Sequence, residues 1–402
     1  KGNVLIENNL ITKISSQIIP VDKSANTTII DGKGKFLMPG LIDAHVHLLF
    51  ESVPKAQAMF MDFAMLNLVA AKASERQLLR GFTTVRDLGG GSITLAKAID
   101  LGIAIGPRVY SSGAFISQTG GHGDFGLPTD VPRKIGELSY PERNGMVAVA
   151  DGVDAVLLRT REQLRQGATQ IKLMAGGGVS SDYDPLDVAQ YSDAEFKAAV
   201  SAAENWNTYV TVHAYTPVAI KTAINAGVKC IDHGQLADEE SAKLMAEKGI
   251  WWSLQPFLDE GKSRFAEGSL NRLKQIEMNK GTDNAYALAK KYKIKTAWGT
   301  DILFDAKAAT EQGKKLAVME RWYTPFEILK MATSTNAELL RMSGKRNPYQ
   351  QGKLGEITEG AYADLILVDG NPLKNIQLVA NPETNFVLIM KDGVVYKNTL
   401  SK

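Results

Sequence analysis

His45 and His47 stand one residue apart in Leu41-Ile42-Asp43-Ala44-His45-Val46-His47-Leu48, a short, mostly apolar run after the Pro39-Gly40 break. Side chains alternate faces along a strand, so the two imidazoles project to one side about 7 Å apart. Neutral imidazoles held rigidly side by side at a strand end suit zinc. Taken alone, the pair reads equally well as two histidines packed into a core strand. Three further histidines complete the chain's set, His122, His213 and His233. Two other residues carry chemistry: Lys172, set among apolar neighbours in Gln170-Ile171-Lys172-Leu173-Met174, and Asp301, which ends Trp298-Gly299-Thr300-Asp301. A buried ammonium beside dications is disfavoured, so the pKa of Lys172 falls toward the neutral amine. A neutral amine can take up carbon dioxide, and the carbamate so formed is a carboxylate able to bridge two metal ions.

The elements that position these residues alternate between strand and helix. Strands are predicted at 41–47, 83–88, 108–113, 170–174, 209–215, 229–233, 250–254 and 295–300, with helices at 192–206, 217–226, 238–248, 271–291 and 325–340. Ser192 is an N-cap, and Glu195 completes its capping box. Eight strands, each followed by a helix or a long loop, are the arithmetic of an α/β protein of the (β/α)8, or TIM barrel, class. An open doubly wound sheet lacks here the Gly-X-Gly-X-X-Gly turn after its first strand. His45, His47, His213 and His233 fall at the C-terminal ends of strands 1, 5 and 6, and His122 lies in the loop after strand 3. That end of a barrel is its active-site face, so all five converge. Lys172 on strand 4 and Asp301 after strand 8 reach the same rim. A lysine capping the barrel or holding a substrate anion, and an aspartate serving a turn, are the plainer readings.

Both chain ends have a different texture, with strands at 3–7, 10–14 and 28–30 and again at 363–368, 386–390 and 394–396. One small β-domain assembled from residues 1–38 and 349–402 is expected, with the barrel spanning 39–348. Tyr215 shares a strand face with His213 and so points at the site, either as a core hydroxyl or to bind a substrate carboxylate. Arg86 and Asp87, ending strand 2, read as an ion pair or a substrate anchor. Trp251 and Trp252 fill the barrel wall on opposite faces. Gly176-Gly177-Gly178 lacks the Gly-Lys-Ser/Thr of a phosphate loop and reads as a flexible active-site loop. The weakly periodic stretch 128–150 is a candidate lid.

Composition narrows the function classes. A net charge of +2 over 402 residues gives no electrostatic footprint for nucleic acid or an anionic membrane. No apolar run approaches the roughly 18–20 residues that span a bilayer. The single cysteine, Cys230, excludes an internal disulfide framework and reads as a small core residue. Because the chain opens at Lys1 inside a predicted strand, its natural start is expected upstream, and no compartment follows.

His-X-His on strand 1, Lys on strand 4, His on strands 5 and 6 and Asp on strand 8 resemble the amidohydrolase superfamily. The resemblance spans nearly the whole chain, and the terminal β-domain resembles that family's composite β-sandwich. More closely, Gln118-Thr119-Gly120-Gly121-His122, His213-Ala214-Tyr215-Thr216-Pro217, Ile231-Asp232-His233-Gly234 and Gly299-Thr300-Asp301-Ile302-Leu303 are similar to its Xaa-Pro dipeptidase branch. Residues 109–124 also resemble the ochratoxin-hydrolysing amidohydrolases. The resemblance implies two Zn2+ or similar divalent ions, one held by His45, His47 and Asp301, the other by His213 and His233. Carboxylated Lys172 and a hydroxide would bridge them, and that hydroxide would attack the amide of a dipeptide or N-acyl amino acid. Asp301 would carry the proton to the leaving amine. His122 would donate to the carbonyl oxygen as it becomes an oxyanion; among glycines it also reads as a loop-stabilising residue. A homo-oligomer acting on a small-molecule amide is expected. A cyclic-amide hydrolase or deaminase on the same barrel is the enzymatic alternative, although the strand-4 lysine argues against a one-metal deaminase. A binding protein that lost the chemistry fits poorly with a full ligand set.

Overall fold

Strands covered on both faces should read as near-continuous apolar runs, and Leu41–Val46 and Val210–Ala214 are buried at every residue. The computed structural model describes residues 2–22, 27–134, 136–259, 261 and 263–400. In it, Leu41–Val46, Phe82–Asp87 and Arg108–Ser111 form one parallel sheet. Ile171–Met174, Val210–Ala214, Cys230–His233, Trp251–Leu254 and Thr296–Trp298 continue in parallel order in a second. Side chains help close the two seams. Asn336 Nδ2 donates to Ile42 O and Trp298 O at 2.8 Å each, and its Oδ1 accepts from Trp298 N at 3.1 Å. At the other seam Gln170 Nε2 donates to Tyr110 O at 3.0 Å. The fold is a (β/α)8 barrel with an added antiparallel sheet drawn from both chain ends.

That sheet runs Val394–Asn398, Phe386–Lys391, Leu365–Val368, Phe36–Pro39, beside a hairpin of Asn3–Glu7 and Leu10–Ser15. Phe36–Pro39 is a strand beyond those expected at the chain ends. The predicted strand at 28–30 does not form; Ile29 is 79% exposed and no strand among the described residues pairs with it. Arg108 anchors the sheet to the barrel through Asp364 and Asp392 and lies 4.0 Å from the Tyr362 ring centroid.

Local rules place the helices. Ser192 N donates to Glu195 Oε2 at 2.8 Å, so the expected capping box starts Asp193–Asn205. The predicted helix 271–291 is two, Leu270–Lys280 and Thr282–Lys291. Gly281 stands between them because a Cβ there would meet Gln235 O at 1.9 Å. The lid reading of 128–150 is corrected. Val147–Val149 adds a parallel edge strand beside Phe115–Ser117, Tyr140 Oη donates to Met61 O, and none of the segment's described residues walls the central cavity.

Glu51, just past the first barrel strand, is buried, and burial pushes its carboxyl up from 4.5 to about 7. A raised folded-state pKa gives a contribution to stability that is complete below the unfolded value and lost as pH rises through about 7. Glu51→Gln is therefore expected to melt above the parent chain at about pH 8 but not at about pH 5. Equal shifts at both pH values would contradict this.

Candidate active site

The rim of the barrel gathers the expected residues. Alternation along Leu41–Val46 and into the next residue puts His45 and His47 on one face, with ring centroids 5.4 Å apart. Gly299, after the last strand, has no room for a side chain, since a Cβ would sit 2.6 Å from His45 N. Asp301 adopts a left-handed φ of 49°, rare for a residue with a Cβ. Its neighbour is pinned by Asp43, whose carboxylate accepts from Thr300 N at 3.0 Å and Thr300 Oγ1 at 2.7 Å. This delivers Asp301 Oδ1 to 3.2 Å from both His45 Nε2 and His47 Nε2. His233 lies 4.8 Å from His45 and 4.5 Å from His213, between ring centroids. These residues, with Lys172, His122 and Tyr215, wall one cavity of about 40 Å3, closed on one side by Phe50, Phe115 and Phe125.

Contacts behind the histidines decide which nitrogen is free. His47 Nδ1 donates to Gly89 O at 3.1 Å, His213 Nε2 to Gly177 O at 3.0 Å and His233 Nδ1 to Gln255 Oε1 at 2.7 Å. A neutral imidazole that donates through one nitrogen keeps a lone pair on the other. His47 Nε2, His213 Nδ1 and His233 Nε2 are thereby left as ligand atoms. His45 Nε2 is buried and satisfies no hydrogen bond despite its closeness to Asp301. Trp252 Nε1 donates to His233 O at 2.6 Å, so the barrel-wall tryptophan also sets a site residue.

Charge states follow from burial and neighbours. Burial lowers His45 to about 4 and holds His213 and His233 well below the ordinary histidine value. Burial works against the charged form of His47 too, but the Asp301 carboxylate raises it overall. Burial alone would raise Asp301; the histidines around it, His45 first, hold it well below the carboxylate range. Neutral His45, His213 and His233 beside an ionised Asp301 are ligand-ready at neutral pH, whereas His47 would give up any proton it carries on binding a cation. The ligand atoms of His45, His47 and Asp301 lie within 4.8 Å of one another, a donor set that fits a zinc-class cation. His213 and His233 pair beside Lys172, and no third His, Cys, Asp or Glu joins them among the described residues.

Lys172 is fully buried, and burial lowers its pKa as expected. Its Nζ donates to Asp232 Oδ2 at 2.6 Å, while Arg86 Nη2 donates to Asp232 Oδ1 at 2.7 Å. The Arg86–Asp87 expectation is thus corrected. Arg86 lies inside the barrel beneath the site and pairs with Asp232, while Asp87 accepts from Leu48 N and Gly89 N. Asp232 and Gln255 hold the ligand residues from behind, and neither is singled out in the sequence. An aspartate inside a buried strand needs a cation or several hydrogen-bond donors, which was a signal for Asp232; Gln255 directly follows the one barrel strand given no site residue. His122 stacks on His213 at 4.0 Å, with Nδ1 2.7 Å from Ser181 Oγ and 3.4 Å from Asp184 Oδ2. Tyr215 is buried, with its ring 4.9 Å from that of His213, and reaches the cavity as expected.

Residues 36–398 match the amidohydrolase family. The chain is 34% identical to ochratoxinase of Aspergillus niger, over 98% of its own length and 82% of the relative's. It is similar to the crystal structure of a prolidase complexed with N-methylphosphonate-L-proline, at 34% identity and a TM-score of 0.88, covering 99% of this chain and 95% of that one. It is also similar to a Xaa-Pro dipeptidase with bound methionine in the active site, at 31% identity and a TM-score of 0.83, covering 98% and 94%. The chain belongs to the amidohydrolase family, generally metal-dependent, and is a hydrolase of amide or peptide bonds.

Proposed function

We propose that the chain is a binuclear zinc-dependent hydrolase of dipeptides or N-acyl amino acids, close in chemistry to Xaa-Pro dipeptidases and carboxypeptidases and reaching to ochratoxin-type amides. The observation that carries this reading is the incomplete second site. His213 and His233 stand without a carboxylate ligand, and the side chain walling the cavity beside them is a buried lysine of lowered pKa. Carboxylated, Lys172 would supply that ligand, next to the ion that His45, His47 and Asp301 would hold. The ions, when bound, lower the pKa of a water and polarise the scissile carbonyl.

The chain's own residues supply the rest. Asp301, ionised at neutral pH, accepts the attacking water's proton on its carboxylate and passes it to the leaving nitrogen. His122, whose Nδ1 contacts Ser181 and Asp184, keeps Nε2 for the carbonyl oxygen as negative charge develops there. Burial pushes the Tyr215 phenol well above its ordinary value, so it remains a donor and can bind an α-carboxylate beyond the leaving nitrogen. N-methylphosphonate-L-proline and methionine, the ligands of the two similar structures, are both amino-acid carboxylates, which supports that assignment.

A dipeptide is therefore expected to exceed its C-terminal amide in kcat/KM by at least roughly a hundredfold, because the amide leaves buried groups unpaired. Tyr215→Phe should shrink that gap. Equal turnover of acid and amide would point to a general amidase or cyclic-amide hydrolase instead.

A further inference from the structure

A substrate carboxylate entering this cavity needs a counter-charge, and Tyr215 offers only a neutral donor. The rim cations are mostly committed. Lys55 pairs with Asp182, Arg272 pairs with Asp259, and Lys274 is buried against Ser181 O and Asp184 O. Arg264 differs. It rises exposed from the loop after Trp251–Leu254 and donates to Leu303 O and, at 2.8 Å, to Ser180 Oγ. Both acceptors are neutral, both residues wall the cavity, and no carboxylate among the described residues pairs with it.

Its ring contacts place it at the mouth of the cavity. The guanidinium lies 4.7 Å from the Phe265 ring centroid and 5.6 Å from that of Phe304. Phe265 packs against the cluster that contains Tyr215, whereas Phe304 packs against Phe50 and Phe125 across the mouth. The cation thus stands where the Tyr215 side of the mouth meets the aromatic side. A planar guanidinium presents five N–H donors in a fork that fits a carboxylate through two parallel bonds, and only two donors are engaged here.

We propose that Arg264 is a specificity-determining residue that binds the α-carboxylate of the leaving amino acid, acting with the Tyr215 hydroxyl. This assignment rests on the free-acid substrate proposed above. Lysine keeps the charge but loses the fork, so it should replace Arg264 only in part.

Kinetics of one dipeptide and its C-terminal amide, in the parent enzyme, Arg264→Gln and Arg264→Lys, test the assignment. The acid-to-amide ratio of kcat/KM is internal to each preparation, so partial loss of folded enzyme cancels from it. Arg264→Gln is expected to cut that ratio by roughly tenfold to a hundredfold, mainly through KM for the acid, with Arg264→Lys in between. A parent enzyme that does not discriminate would sink the free-acid reading itself. A discriminating parent whose ratio survives Arg264→Gln would overturn the role of Arg264 and leave that reading standing. Equal gains for acid and amide in Arg264→Gln would make the side chain a latch between the rim loops and overturn the role as well.

Discussion

Asp301→Asn is expected to lower kcat by roughly a thousandfold or more while removing far less of the bound metal. The asymmetry comes from the two tasks given to one side chain. As a ligand, Asp301 is one of three around its ion, alongside His45 and His47, and an amide oxygen in the same place is a weaker but usable substitute. As a proton carrier it is the only group assigned, and an amide cannot take up the proton. The backbone should hold its shape, because the left-handed turn at 301 suits asparagine as well as aspartate and the Asp43–Thr300 bonds are untouched. Metal content and kcat measured on the same preparation separate the two tasks. Near-normal kcat with both metals bound would move the proton transfer to another residue.

The second large effect is expected at Lys172. Lys172→Ala removes the proposed bridge, so metal content should fall below two per chain, with kcat/KM down by roughly a thousandfold or more. Where Lys172 is not carboxylated, the substitution also removes one buried cationic partner of Asp232, although Arg86 Nη2 and Thr211 Oγ1 still donate to that carboxylate at 2.7 Å each. Taking one partner from a buried ion pair costs on the order of 3–5 kcal/mol, so lost stability could imitate lost chemistry. A small carboxylate such as acetate distinguishes the two. If Lys172 acts as a ligand, acetate in the vacated space should restore part of the activity. A folded, metal-binding variant with no response would contradict the ligand role.

Much of the site was legible because its signals are local and periodic. His45-Val46-His47 on a strand, His213 and His233 at strand ends and Asp301 after the last strand each needed only the alternation of side chains and the rule that a barrel's C-terminal rim is functional. What escaped depends on strands far apart in sequence meeting inside the barrel. Arg86, Lys172 and Asp232 come from barrel strands 2, 4 and 6 and touch only after closure. Reading Arg86 with Asp87 also overlooked that consecutive strand residues face opposite ways. Gln255 carries no charge to attract notice, yet its amide reaches both His233 Nδ1 and, at 3.3 Å, His45 Nδ1. The helix break at Gly281 answers to a backbone contact with Gln235, which no helix propensity encodes. Val147–Val149 is too short for a periodic pattern and exists because Phe115–Ser117 offers it an edge.

Elemental analysis of the undialysed protein bears most directly on the binuclear site from which the function is argued. The expected result is close to two zinc-class ions per chain, falling toward one in Lys172→Ala, because His45, His47 and Asp301 suffice for one ion while His213 and His233 depend on the lysine-borne carboxylate. A ratio near one in the parent chain, unchanged by Lys172→Ala, would contradict the bridge and with it the two-metal hydrolase.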